Sequence, residues 1–144
     1  MADTRQFSTF HLDKFLFGVE VLRVQEVIRS LDFTRVPLAP EVVSGLINLR
    51  GQIVTAIDLR RRLELPPRPD GEKPMNVVID TGDGAVSLLV DTIGSVITVD
   101  EREFEKPPET LMGSARDLIL GAYKLKDRLL LALDIDRVIQ GVNT

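Results

Sequence analysis

The chain has 144 residues and carries 18 Lys and Arg against 22 Asp and Glu, which gives a formal net charge of −4. This length fits one domain, and the acidic balance argues against a surface that binds nucleic-acid phosphates. The sequence has no Cys and one His, His11, which excludes disulfides, thiolate chemistry, Cys-ligated zinc and a multi-histidine metal site. No apolar run approaches the ~20 residues of a membrane span. We therefore expect a cytosolic domain without catalytic residues, metal or cofactor.

Apolar and polar residues alternate near the amino terminus, which predicts strands. A turn at Asp13 and Lys14 separates two of them, over 10–12 and 15–21. From Val21 the apolar spacing becomes helical, so we expect a short helix over Val21–Ile28.

The next segment predicts a strand over Phe33–Val36 and a single helical turn bracketed by Pro40 and Gly45. A hairpin follows, with strands over 46–49 and 53–57 and a tight turn between them.

Asp58 has the position of an N-cap before a short helix over 59–63. The proline-rich segment 66–74 suits neither a helix nor a central strand and is the best linker in the chain. A second hairpin is predicted over 75–80 and 85–90. The last predicted elements are strands over 118–125 and 129–133 and a helix from Asp134.

The sequence also repeats itself. A shift of 76 residues places Val43–Leu63 without a gap on Ile119–Ile139, and a shift of 69 places Phe17–Ile28 on Val86–Ile97. Each half then contains about five short strands, too many for a small open sheet, and closure into a barrel removes the exposed edges.

The predicted fold is therefore mostly β, with two five-stranded barrels side by side and a few short helices. We place the first barrel over 15–65, the linker over about 66–74 and the second barrel over 75–142, within a single domain over 1–144. The equivalent segments Val21–Ile28 and Asp91–Ile97, both taken as helical, are expected to wall a groove between the barrels.

Most polar side chains favour a structural explanation. We expect His11 to be solvated on a strand face, and Asp58 and Asp134 to cap helices. The triplet Arg60–Arg62 is interpreted as an exposed helical face, with a nucleic-acid or anion contact as the alternative. An enzyme would depend on scattered carboxylates alone.

The turn Asn48-Leu49-Arg50-Gly51 is less easily explained. Asn-Gly would suffice to close a hairpin, so Leu49 and Arg50 suggest an added role. Leu49 could pack inward while Arg50 is solvated, or Arg50 could be a charged anchor at the groove, since arginine is enriched in binding hot spots.

With these residues in place, the sequence resembles the CheW-type adaptor family of bacterial chemotaxis arrays. The similarity extends from about Phe7 to Ile139. Its most specific stretch is 45–51, supported by 17–27, 53–60, 89–96 and 129–139.

The resemblance implies two SH3-like barrels and a non-enzymatic adaptor that couples the cytoplasmic tip of a methyl-accepting chemoreceptor to the regulatory domain of the histidine kinase CheA. It implies a cytoplasmic location at receptor arrays beneath the inner membrane, with other copies of the chain as further array partners, and neither nucleic-acid binding nor membrane insertion. The receptor-binding groove that it implies consists of Val24, Glu26, Val27, Gly45, Arg50, Ile93 and Val96.

One feature departs from the family, which commonly has Pro shortly after the glycine of the turn, where this chain has Thr55-Ala56. This puts the partner-facing surface in question more than the fold. The alternative function is an SH3-like module outside chemotaxis that binds a peptide or nucleic acid.

Overall fold

The computed structural model describes residues 3–29, 31–109 and 113–140. Within them the chain forms short strands and single helical turns, as predicted. The strands are β1 (Thr4–Leu12), β2 (Phe15–Glu20), β3 (Val24–Ile28), β4 (Val43–Leu49), β5 (Gln52–Asp58), β6 (Met75–Asp80), β7 (Ala85–Val90), β8 (Thr92–Asp100), β9 (Phe104–Glu105), β10 (Ile119–Lys124) and β11 (Leu129–Leu133). The α-helices are α1 (Leu59–Arg62), α2 (Ser114–Asp117) and α3 (Ile135–Ile139), and 3-10 turns span Val21–Arg23 and Glu101–Glu103.

The strands form two sheets. The six-stranded sheet has the order β8-β1-β2-β11-β10-β9, and the five-stranded sheet has the order β3-β6-β7-β5-β4. β8 runs through the turn at Glu101–Glu103 into β9, which pairs with β10, so the chain itself connects the two ends of the larger sheet. In the smaller sheet an isolated bridge between Thr34 and Leu46 has the corresponding position. The prediction of a mostly β fold with two small barrels side by side and a few short helices is confirmed. The two sheets have six and five strands, where five each were expected.

The duplication is visible in the register of these sheets. Under the two shifts found in the sequence, β3, β6, β7, β5 and β4 correspond to β8, β1, β2, β11 and β10, in the same spatial order. The parallel contact Ala56–Ser87 in one sheet is matched by Ala132–Gly18 in the other. Register shifts also recur at equivalent places, beside Gly45 and beside Gly121.

The sheets do not follow chain order. The hairpin β1–β2 joins the sheet built from β8 to β11, and the hairpin β6–β7 joins the sheet built from β3 to β5. Each sheet thus takes strands from both predicted subdomains, 15–65 and 75–142. The predicted boundary at 142 lies outside the described residues.

The largest cluster of buried apolar side chains in the described residues lies between the sheets. It combines buried side chains of both sheets with those of α1 and α3. Its largest fully buried side chains include Phe10, Phe17, Ile57, Leu59 and Leu88. No helix within the described ranges is long and apolar enough to cross a membrane.

Two local predictions are wrong. Val21–Ile28 and Asp91–Ile97 are not helices, because Val24–Ile28 and Thr92–Asp100 are strands. In the first segment the apolar spacing resembles that of a helix for two reasons. A 3-10 turn precedes β3, and a bulge in the pairing of β3 with β6 interrupts the alternation of inward and outward side chains. The β-branched residues of this stretch pack well on a pleated surface, which favours the strand.

The predicted helical turn between Pro40 and Gly45 is also absent. The Pro40 carbonyl accepts a hydrogen bond from the Val43 amide in a tight turn, and Gly45 lies inside β4. Of the predicted strand Phe33–Val36, the bridge at Thr34 is the part that forms.

Candidate functional site

The turn singled out in the sequence is the tip of the β4–β5 hairpin. Arg50 and Gly51 form its two central residues, with φ of 52° and 87°. The Asn48 side-chain oxygen accepts a hydrogen bond from the Gly51 amide at 2.9 Å. Leu49 is buried with Val54 and Val78, while Arg50 remains exposed. A left-handed φ costs a bulky residue such as Arg on the order of 1 kcal/mol, so Arg50 is held there by its surroundings.

Glu26 on β3 holds Arg50 in place. The two guanidinium nitrogens lie 2.6 and 2.7 Å from the two carboxylate oxygens, in a bidentate pair. Hydrogen bonding to Arg50 lowers the pKa of Glu26, and the same contact raises the pKa of Arg50. β3 and β4 are the two edge strands of the five-stranded sheet. The ion pair therefore links one edge strand to the turn that follows the other.

Gly45 belongs to the same region but is buried. A Cβ at this position would overlap the backbone carbonyl of Thr34 and come within 2.8 Å of the Phe33 ring. Gly45 therefore allows the segment around Thr34 to approach β4. Its contribution to a binding surface is one of shape and not of direct contact.

The apolar residues of the predicted site occupy equivalent positions in the two halves. Val24 pairs with Ile79 on β6, and Ile93 pairs with Phe10 on β1, at corresponding points of the two sheets. Both Val24 and Ile93 pack against the core between the sheets. Three residues further along each strand, Val27 and Val96 are exposed, with 44% and 53% of their surface accessible.

The structure thus joins Glu26 on β3 to Arg50 by an ion pair, and places Val24 and Ile93 against one core. Val27 lies on the same strand as Glu26. The walls of this region are edge strands and not the helices that the sequence predicted. Thr55 and Ala56, which stand where the family has Pro, lie inside β5 between β4 and β7.

Sequence reasoning missed a buried ionic network at the end of β7. The Asp91 carboxylate accepts hydrogen bonds from Arg60 at 2.9 and 2.6 Å, from Arg68 at 3.2 Å and from the Asp13 amide at 2.8 Å. Burial raises the pKa of Asp91, but these hydrogen bonds and the charges of Arg60 and Arg68 outweigh burial and lower it.

The interpretation of Arg60–Arg62 as an exposed face is therefore wrong for Arg60, which is 6% exposed. Arg62 also has partners, the backbone carbonyls of Arg137 and Val138 in α3, and Arg61 is the exposed member. The spacing of the triplet does not distinguish its members, because their partners lie far away in the chain.

The predicted caps are confirmed: Asp58 accepts hydrogen bonds from the amides of Arg60 and Arg61, and Asp134 accepts one from Arg137. In the parts of the chain that the structure describes, no three His, Asp or Glu side chains converge as a metal site would require. The arrangement around Arg50 combines apolar edge positions with one fixed ion pair. It is suited to binding a protein surface.

Comparisons with known proteins agree with this architecture. The family model of the CheW-like domain matches residues 6–143. The chain is 28% identical to the chemotaxis protein CheW of Treponema pallidum, over 92% of this chain and 81% of that protein. It is 33% identical to CheW of Bacillus subtilis, over 85% and 79%. The crystal structure of the scaffolding protein TtCheW from Thermoanaerobacter tengcongensis superposes with a TM-score of 0.85 at 26% identity, covering 99% of this chain and 97% of that one.

Proposed function

Because the chain belongs to the CheW-like domain family, we propose that it is the adaptor that couples chemoreceptor tips to the histidine kinase CheA. It is a chemotaxis scaffold protein without enzymatic activity, as its relatives are. Family membership favours this function over the alternative of an SH3-like module outside chemotaxis. The finer assignments, namely CheA, the receptors, further copies of the chain and a cytoplasmic position at arrays beneath the inner membrane, are part of the proposal.

The receptor-binding surface consists of the edge strands β3 and β8 and the tip of the β4–β5 hairpin. The observation that supports it is the matched placement of Val24 with Ile93 and of Val27 with Val96, flanking the shared core. A receptor tip is a helical hairpin, and an amphipathic helix binds through apolar anchors with charged flanks. Val27 and Val96 are the accessible anchors, and Arg50 is the charged flank.

The kinase regulatory domain has the same fold in this family, so the adaptor and the kinase can pair pseudo-symmetrically through barrel faces. In this proposal the kinase contact lies on a second surface, away from Arg50. Contacts of this kind are individually weak, and repetition in an array raises their effective concentration. One adaptor can therefore hold receptor and kinase at once.

The test is an NMR titration of the full chain with a receptor tip and, separately, with a CheA regulatory domain. Two distinct sets of perturbed amides are expected, and the receptor set includes Arg50. Arg50→Glu and Val27→Asp should abolish the receptor perturbations, because each places a negative charge on the proposed contact, and both residues are exposed enough for the fold to survive. Lys126→Glu is the matched control, since Lys126 is the exposed repeat-equivalent of Arg50 at the tip of the β10–β11 hairpin.

A double variant, Glu26→Arg with Arg50→Glu, separates charge from shape. It keeps an ion pair between β3 and the hairpin but reverses its direction. If the receptor recognises the positive charge of Arg50, the double variant will still fail to bind the receptor tip. Unchanged binding by both single variants would contradict the proposed surface.

A further inference from the structure

A small cavity with a basic rim lies at the end of the six-stranded sheet, away from Arg50. Its rim carries His11 from β1, Lys14 from the β1–β2 turn and Arg128 from the β10–β11 turn. Its apolar lining includes Phe15, Leu16 and Leu129. Among the residues that line it, all of them described, there is no Asp or Glu. We call this feature the basic pocket.

The side chains of the rim are held in place. The Nη1 group of Arg128 lies 3.2 Å from Nε2 of His11, and Oγ1 of Thr92 lies 3.3 Å from Nδ1. Because a guanidinium only donates, Nε2 is the acceptor in the contact with Arg128, and Nδ1 and the Thr92 hydroxyl form the second hydrogen bond of the ring. The Lys14 ammonium lies 5.6 Å from the centre of the Phe15 ring, in the range of a cation–π contact.

The rim cations have little ionic pairing among the described residues. Within these residues no salt bridge forms at Lys14, and the carboxylate paired with Arg128 is that of its neighbour Asp127, which lies 3.9 Å from Nε and has a side chain that is 84% exposed. An ion pair at this distance and exposure contributes little. An anion entering the basic pocket would meet the Lys14 and Arg128 side chains over an apolar floor.

The repeat provides an internal comparison. The positions equivalent to His11 and Lys14 in the five-stranded sheet are Asp80 and Asp83, and Gln52 corresponds to Arg128. The same backbone framework therefore carries acidic residues in one half and basic residues in the other. The fold itself does not require a basic rim here, which points to a ligand.

We propose that the basic pocket binds a carboxylate on a short apolar stem, supplied by a glutamate side chain of a partner protein. Its volume of about 200 Å³ is below the ~300–1,000 Å³ of sites for drug-sized ligands, so it accepts a side chain and not a nucleotide. The apolar lining contacts the methylene groups, and Lys14 and Arg128 contact the carboxylate. Only the origin of the carboxylate in a partner rests on the scaffold function proposed above.

The lone histidine of the chain makes the test direct, because its imidazole gives one unmistakable NMR signal. Butyrate, which has the stem and the charge of glutamate, is titrated into the full-length protein, with the neutral butyramide in parallel. We expect butyrate to shift the His11 signal with a Kd on the order of 1–10 mM, and butyramide to bind at least several-fold more weakly. A capped tripeptide with a central Glu should likewise bind more tightly than the same tripeptide with Gln in place of Glu.

Variants locate the site. Lys14→Gln and Arg128→Gln should each weaken butyrate binding about two- to fivefold, whereas Lys126→Gln, in the same turn as Arg128 but outside the cavity, should leave it unchanged. Equal binding of butyrate and butyramide, or binding unaffected by either rim variant, would overturn the proposal. Binding of butyrate with exclusion of the Glu peptide would overturn the assignment to a protein side chain.

These results are independent of the receptor surface. Arg50→Glu should leave butyrate binding intact, while Lys14→Gln and Arg128→Gln should leave the receptor-tip perturbations around Arg50 intact. Failure of the basic pocket and failure of the proposed receptor contact therefore appear in different measurements.

Discussion

Three separate segments of the chain converge on Asp91. Its carboxylate contacts α1 through Arg60, the proline-rich segment through Arg68 and the β1–β2 turn through the Asp13 amide. Arg60 in addition donates to the carbonyls of Pro66 and Pro67. The segment over 66–74 is thereby fastened to both sheets, and the largely buried Asp91 charge is tolerated because it accepts hydrogen bonds from two arginines and a backbone amide.

The first prediction concerns the stability that this network supplies. Asp91→Asn should lower the free energy of unfolding by about 3 kcal/mol, because it leaves the buried Arg60 without a counter-charge. Urea denaturation followed by circular dichroism measures the loss at neutral pH. Asp100→Asn is the control, since the Asp100–Arg102 pair is exposed, and its midpoint should stay near that of the wild type.

At acid pH, the wild type and Asp91→Asn should have similar free energies of unfolding. The folded pKa of Asp91 is below its ordinary value, so its ionised form stabilises the fold above the unfolded pKa, and this contribution is lost as the pH falls through the folded pKa. The difference in free energy of unfolding between the two proteins should thus become smaller as the pH is lowered from about 5 to 2. A difference that stays constant over this range would contradict the role of the Asp91 charge.

At the scale of elements, the bulged strands β4 and β10 show why the duplication has kept particular glycines. Each strand has a register shift next to a glycine, Gly45 or Gly121, where another segment crosses close to the backbone. A Cβ on Gly121 would overlap the Phe104 ring and come within about 2.5 Å of the Glu105 carbonyl oxygen. The close crossing is what allows each sheet to turn back on itself.

Alanine at either glycine should therefore destabilise the protein. We expect Gly45→Ala and Gly121→Ala each to cost about 1–3 kcal/mol, because the neighbouring atoms include backbone that cannot move aside freely. Gly84→Ala is the matched control, since its nearest neighbour would be the Thr81 hydroxyl oxygen at 3.8 Å. Thermal denaturation measures all three, and a Gly121→Ala variant as stable as Gly84→Ala would show that the crossing can relax.

For the whole molecule, the sequence predicts the pieces better than their assembly. The hairpins, the caps at Asp58 and Asp134 and the repeat are local or periodic signals, and the structure contains them. Strand partners are not local, so the burial of Arg60 could not be derived from spacing. The same holds for the exchange of hairpins, by which β1–β2 and β6–β7 each join the sheet formed by the other half of the chain. The same limit applies to the site: the turn in the sequence singles out Arg50, but its partner Glu26 is identified only through the family resemblance.

The exchange of hairpins makes each small barrel depend on strands from both halves of the chain. The five-stranded sheet needs β3, β4 and β5 from before the proline-rich segment and β6 and β7 from after it. The six-stranded sheet needs β1 and β2 together with β8 to β11. Neither sheet can close without strands from both sides of residues 66–74, and the core between them contains residues of both.

Cutting the chain in this segment should accordingly leave it folded but make its stability depend on concentration. We would introduce a protease site at Asp70-Gly71, an exposed turn, and cleave the folded protein. The nicked protein should keep its circular dichroism spectrum, because the strand pairings across the cut persist. Its melting temperature should fall on dilution, since unfolding then separates two fragments. The fragments 1–70 and 71–144, prepared alone, should each give the collapsed amide dispersion of an unfolded chain and recover native signals on mixing. A well-dispersed spectrum from either fragment alone would mean that one barrel can form from consecutive strands, which the observed strand order does not allow.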